Sequence, residues 1–169
     1  NYGGTINFNG AGAKMIAGNG SITNWGQINV TAGDVTVSGS FDNSNGGKIS
    51  LSGGNMSGVT TLNNGAGGTV DVAAGRTLSV VTFNSTAGST TGSGTINASD
   101  AINLSSGTYG TVFAGTGDLT KSGSGKVTLT REHPYSGGTP ISAGLLENRH
   151  GGTPASHTDH VASTGPPAL

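Results

Sequence analysis

The stretch Lys121 to Thr130, KSGSGKVTLT, sets two lysines among glycines and hydroxyls, the residue types of a phosphate-cradling loop. Such a loop needs Gly, four spacers, then Gly-Lys-Ser/Thr, so that backbone N–H groups and the lysine meet the phosphates and the hydroxyl meets magnesium. Counting back from Gly125-Lys126, Thr120 stands where the first glycine belongs and Val127 where the hydroxyl belongs. The loop should also open a helix whose N-terminus completes the anion site. Instead, Lys126-Val127-Thr128-Leu129-Thr130 alternates polar and apolar with β-branched residues, as strands do. Nucleotide chemistry is not expected here.

Histidines and acids offer two further chemistries. His150, His157, Asp159 and His160 are metal-ligating types in a short span, but zinc needs ligands held in fixed geometry with second-shell support, and their Pro/Gly-rich surroundings offer no scaffold. Polysaccharide cleavage needs paired carboxylates or an acidic calcium cluster on one face. Counted from the repeating glycines described below, Asp34 falls at +8, Asp42 at +16, Asp71 at +3 and Asp100 at +6, so no two are expected to stack. No GGxGxDxUx nonapeptide occurs. No catalytic, cofactor-binding or metal residue is assigned on these grounds, and the chain is expected not to be an enzyme.

The elements that carry these residues are dictated by an unusual composition. Gly, Thr, Ser and Asn make up more than half of the 169 residues, charged residues are 9%, and the formal net charge is −1. Seven Lys and Arg spread over the whole length make no basic patch, and one Trp, three Tyr and four Phe give few rings for base stacking, so nucleic acid is not an expected partner. No run of 18 apolar residues is present to span a bilayer as a helix. Zero cysteines exclude disulfides and thiolate metal sites. With neither an initiator Met nor a signal peptide, the chain is expected to begin inside a longer or processed protein.

A unit of Gly, polar, aliphatic, polar, apolar recurs at Gly4, Gly26, Gly47, Gly68 and Gly94, with steps of 22, 21, 21 and 26 residues. Phe41, Leu62 and Phe83 repeat with a step of 21, each followed by Asn one or two positions on. A third apolar pulse lies between, at Val35 and Val37, then Met56, then Leu78 and Val80. Three short strands in about 21 residues predict one coil of a right-handed, single-stranded parallel β-helix. A single coil cannot bury its apolar face alone, so coils must stack. Strands stack about 4.8 Å apart, which sets each residue over its equivalent one coil away. Like charges would then meet, so a charge-poor chain of Thr, Asn and aliphatic residues is the composition that stacks without repulsion. Ile28, Ile49 and Val70 are expected in one interior column, and residues 1 to 130 in about six coils. The 26-residue step predicts a loop at Ser85 to Ser93 that lengthens one coil by five residues. Trp25 and the Asn-Gly pairs are expected at turns and corners, Trp25 being also a candidate binding edge. Thr and Asn ladders suit a flat ice-binding or carbohydrate-binding face, but the uneven steps blur a long lattice match.

Residues 115 to 147, GTGDLTKSGSGKVTLTREHPYSGGTPISAGLLE, resemble the passenger-associated β-strand repeat of bacterial autotransporters, of the form GxGxLTKxGxGxLTLxxxxxYSGGTxxxxGxL. Gly115, Gly117, Leu119, Thr120, Lys121, Gly123, Gly125, Leu129, Tyr135, Ser136, Gly137, Gly138, Thr139, Gly144 and Leu145 match it. The resemblance implies a secreted, cell-surface passenger of a Gram-negative bacterium, carried out by a C-terminal outer-membrane β-barrel whose alternating strands are not in this sequence. It implies a structural and adhesive role toward a host or neighbouring cell, protein or glycan, by a monomer whose open ends associate. On this reading Lys121 and Lys126 are turn and surface residues. Two alternatives remain, the stem of a β-helical polysaccharide-acting enzyme whose catalytic residues lie elsewhere, and a phage or fibre-type β-helix. Past Glu147 the pattern stops, and residues 148 to 169, with His150, His157, His160, Pro154, Pro166 and Pro167, are expected to be a loosely attached or non-native tail.

Overall fold

A computed structural model describes residues 2–149, which form a parallel β-solenoid with no helix. In chain order the strands are β1 (Thr5–Phe8), β2 (Lys14–Asn24), β3 (Gln27–Val30), β4 (Val35–Asn43), β5 (Lys48–Leu51), β6 (Met56–Asn64), β7 (Thr69–Val72) and β8 (Thr77–Ser85). They continue as β9 (Ser89–Thr91), β10 (Thr95–Leu104), β11 (Gly107–Tyr109), β12 (Val112–Ala114), β13 (Asp118–Lys121), β14 (Lys126–Leu129) and β15 (Leu145–Asn148). Every pairing among them is parallel. One sheet of eight strands runs β1-β3-β5-β7-β9-β11-β14-β15. The other runs β2-β4-β6-β8-β10, with β12 and β13 both laid along β10. Seven circuits separate β1 from β15, which at the usual strand spacing make a rod of roughly 34 Å.

The interior is built as columns. Ile28 lies on Ile49 and Ile49 on Val70, all at most 1% exposed. Phe41, Leu62, Phe83, Ile102 and Leu119 form a second column, and Val35, Met56, Leu78, Ile96 and Phe113 a third. Each such side chain taken fully out of water contributes about 1.5–3 kcal/mol. The three apolar pulses are all present, but the second and third share one long strand that bends between them. The bend is a register shift, seen between Gly39 and Phe41 in β4 and between Met56 and Val59 along β6. Gly58 permits it: its φ is +78°, and a Cβ there would sit 2.3 Å from the Val37 carbonyl oxygen.

One phase assignment is overturned. Gly94 is not the equivalent of Gly68. The partner of Thr69 is Ser89 and that of Val70 is Thr90, whereas Thr95-Ile96-Asn97-Ala98 lies on Thr77-Leu78-Ser79-Val80 in the other sheet. Ser85 to Ser93 is therefore no insertion. It contains β9, a regular rung of the first sheet, and its removal would excise a strand. The interior residue there is Thr90, 3% exposed, which continues the column of Val70 where a loop was expected.

Candidate functional surface

Polar side chains stack as regularly as apolar ones. Inside the solenoid, Asn24 Nδ2 donates to Asn43 Oδ1 at 2.8 Å and Asn43 Nδ2 to Asn64 Oδ1 at 2.9 Å. Each amide also donates to a backbone carbonyl on the next rung: Lys48 for Asn24, Thr69 for Asn43 and Ser89 for Asn64. All three asparagines are at most 1% exposed, so these bonds satisfy groups that water cannot reach. Gly26 N–H donates to Asn24 Oδ1, which turns that amide's N–H groups toward the next rung and sets the polarity of the column.

A second column faces outward with the reverse polarity. Asn103 donates to Asn84 Oδ1 at 2.8 Å, Asn84 to Asn63 Oδ1 at 2.9 Å, and Asn63 to Asp42 Oδ1 at 2.6 Å. A carboxylate only accepts, so Asp42 orients the whole chain of amides. Ser21 Oγ also donates to Asp42.

The other aspartates are likewise acceptors within the stack and are not brought together. Asp34 receives Asn55 N–H at 2.9 Å and Asn55 Nδ2 at 3.1 Å. Asp71 receives Thr91 Oγ1 at 2.9 Å and pairs with Lys48 at 3.6 Å, and Asp100 receives Thr82 Oγ1 at 3.4 Å. Among the described residues no group of three His, Cys, Asp or Glu is placed to hold a metal. His150, His157, Asp159 and His160 lie outside the described residues, as does most of the tail, although β15 itself extends to Asn148.

The two lysines of the opening stretch part company. Lys126 is on the surface, 3.2 Å from Glu147. Arg149 and Lys126, both bonded to Glu147, hold that carboxyl below its ordinary pKa. Lys121 is no surface residue: it is fully buried, and Nζ donates to the carbonyls of Ser122 at 2.6 Å, Gly123 at 2.8 Å and Ala143 at 3.0 Å. The signal was legible in Asp118-Leu119-Thr120-Lys121, where Lys121 shares the inward parity of Leu119. Burial lowers its pKa from the ordinary lysine value. Lys14 is held in the same way by the Gly10, Gly12 and Ala32 carbonyls. Gly33 and Gly144 close over the two ammonium groups, where a Cβ would come within 2.7 Å and 2.8 Å of the respective Nζ.

Toward the C-terminal end the packing changes character. Thr111 Oγ1 and Thr90 Oγ1 share a hydrogen bond of 2.7 Å inside the wall. Phe113 lies between Phe83 and Tyr109, each at 5.7 Å, with His133 stacked at 5.3 Å and its Nδ1 accepting Phe113 N–H. Tyr109 donates to the Ser106 carbonyl, and burial pushes its pKa up to about 12. Outside this region a groove of about 560 Å³ opens where the first sheet turns its corner, lined by Thr91, Ser93, Thr108, Thr130 and Arg131 among others. Arg131 Nε donates to the Gly110 carbonyl at 2.6 Å. No sequence motif marks this groove.

Trp25 occupies the corner between β2 and β3, half exposed, with the Tyr2 ring set edge-on at 4.6 Å. Among the described residues these surfaces present ordered hydroxyls, amides and a groove. No family model, curated protein or solved structure matches the chain.

Proposed function

We propose that this chain is a non-enzymatic structural and adhesive segment of a secreted bacterial surface protein, an autotransporter-like passenger rod that holds its outer faces toward a host or neighbouring cell. The observation that carries the reading is the stacking of polar side chains in register along the outside, above all Asn63-Asn84-Asn103 ending on Asp42, over a mainly apolar interior. A side chain bonded to its equivalents on both sides is already ordered, so a partner binding it loses little further conformational entropy. The likeness of residues 115 to 147 to the passenger repeat supports secretion through an outer-membrane barrel and display at the cell surface.

The test is display of the full chain on a non-adherent bacterium. Cell-to-cell aggregation or retention on host-cell and glycan-coated surfaces is the expected result. Absence of both, or turnover of polysaccharide or peptide by the purified chain, would overturn the reading.

A further inference from the structure

We propose that the groove beside Arg131 binds an acidic sugar residue of a glycan, with the sugar's anionic group on the guanidinium and its hydroxyls on the surrounding Thr and Ser side chains. This narrows the adhesive reading to a partner class and rests on it.

The volume of about 560 Å³ lies within the range of ligand sites. Its polar lining has a definite sense. Thr91 Oγ1 already donates to Asp71 and Thr130 Oγ1 to the Tyr109 carbonyl, so both hydroxyl oxygens present lone pairs, which suit the O–H donors of a sugar. Gly92 and Gly110 leave the wall without side chains there. The charged donor of the lining is Arg131. Its Nε is committed to the Gly110 carbonyl, which orients the planar fork and leaves the two terminal nitrogens for a ligand. Among the described residues, Lys48, Lys126 and Arg149 each lie within 4 Å of a carboxylate, but no carboxylate lies that close to Arg131. An anion is therefore the group that complements the groove. No aromatic ring lines it, so a neutral sugar would lack both a stacking platform and a charge partner.

The experiment titrates the full chain with three probes: trigalacturonate, a heparin-derived sulfated tetrasaccharide and uncharged maltotriose. Saturable binding of one or both anionic probes, weakened by added salt, with amide NMR shifts confined to Thr91, Thr108, Thr130 and Arg131, is expected. Response to galacturonate alone assigns a carboxylate, to the sulfated probe alone a sulfate. Arg131→Gln keeps an N–H for Gly110 but removes the charge, and affinity should fall about tenfold or more, the scale of one charged hydrogen bond. Thr108→Val should cost a few-fold, and both variants should keep the wild-type circular dichroism. Equal affinity for all three probes, no binding of either anionic probe, or wild-type affinity in Arg131→Gln overturns the assignment. If displayed chain still adheres to cells under those outcomes, the acidic-sugar assignment falls while the adhesive reading stands.

Discussion

The circuits from β3 to β8 and those from β9 to β15 are built on one plan with different materials. In the first group successive rungs keep a step of 21 residues, as in Phe41, Leu62 and Phe83, and the interior is apolar with one asparagine column. In the second, circuits shorten: Thr95 lies on Thr77 and Val112 on Thr95. The interior there takes in Thr90, Tyr109 and Lys121, with a half-buried His133 stacked on Phe113. The uniform stack bonds rung to rung through its own side chains. Where the circuit contracts, the wall is refilled with aromatic and polar groups, and a groove opens beside it. The groove lies in this half, where the circuits depart from the 21-residue step.

The comparison breaks most decisively at Phe83, which lies on Leu62 in one group and touches Phe113 in the other. Phe83→Ala should destabilise by roughly 3–5 kcal/mol. Urea unfolding with amide exchange tells whether both groups lose protection together; loss confined to β9–β15 would make them separate cooperative units. Asn43→Leu comes next, at about 2–4 kcal/mol, because it removes the side-chain acceptor of the Asn24 amide and the donor to Asn64 Oδ1 in a dry interior. Replacing Asn24, Asn43 and Asn64 together should cost less than the sum of the single changes.

Alkali should separate the groups. Tyr109 has its folded pKa raised to about 12, so the unfolded chain gives up that proton first as pH rises. The stability it contributes is full below about pH 10 and lost by about pH 12, about 3 kcal/mol at most. Tyr109→Phe should flatten this loss in β9–β15 while leaving β3–β8 unchanged, followed by exchange at rising pH. The smallest effect belongs to Thr90→Val, about 1–2 kcal/mol, which removes the acceptor of Thr111 Oγ1. Changing Thr111 to Val as well should restore part of it, a coupling that a double-mutant cycle measures.

The regular half was legible in the sequence because its signal is chemical and periodic: an aliphatic residue cannot face water one circuit after another, so Ile28, Ile49 and Val70 announce their column. The other half was misread at Thr90. A buried threonine satisfied by a second threonine gives no apolar pulse, and the count ran on to Gly94. Lys121 was misplaced because charge was weighed above parity, and only three converging carbonyls reverse that weighing. The groove was invisible, since it arises from the length of the circuits around it and from no motif within it.

The constant step from Lys48 to Thr69 and from Phe41 through Leu62 to Phe83 has a genetic consequence. Unequal crossing-over that adds or drops twenty-one codons in this stretch returns the polypeptide to the same phase, so the gene can change the height of the tower one storey at a time while every remaining floor stays where it was.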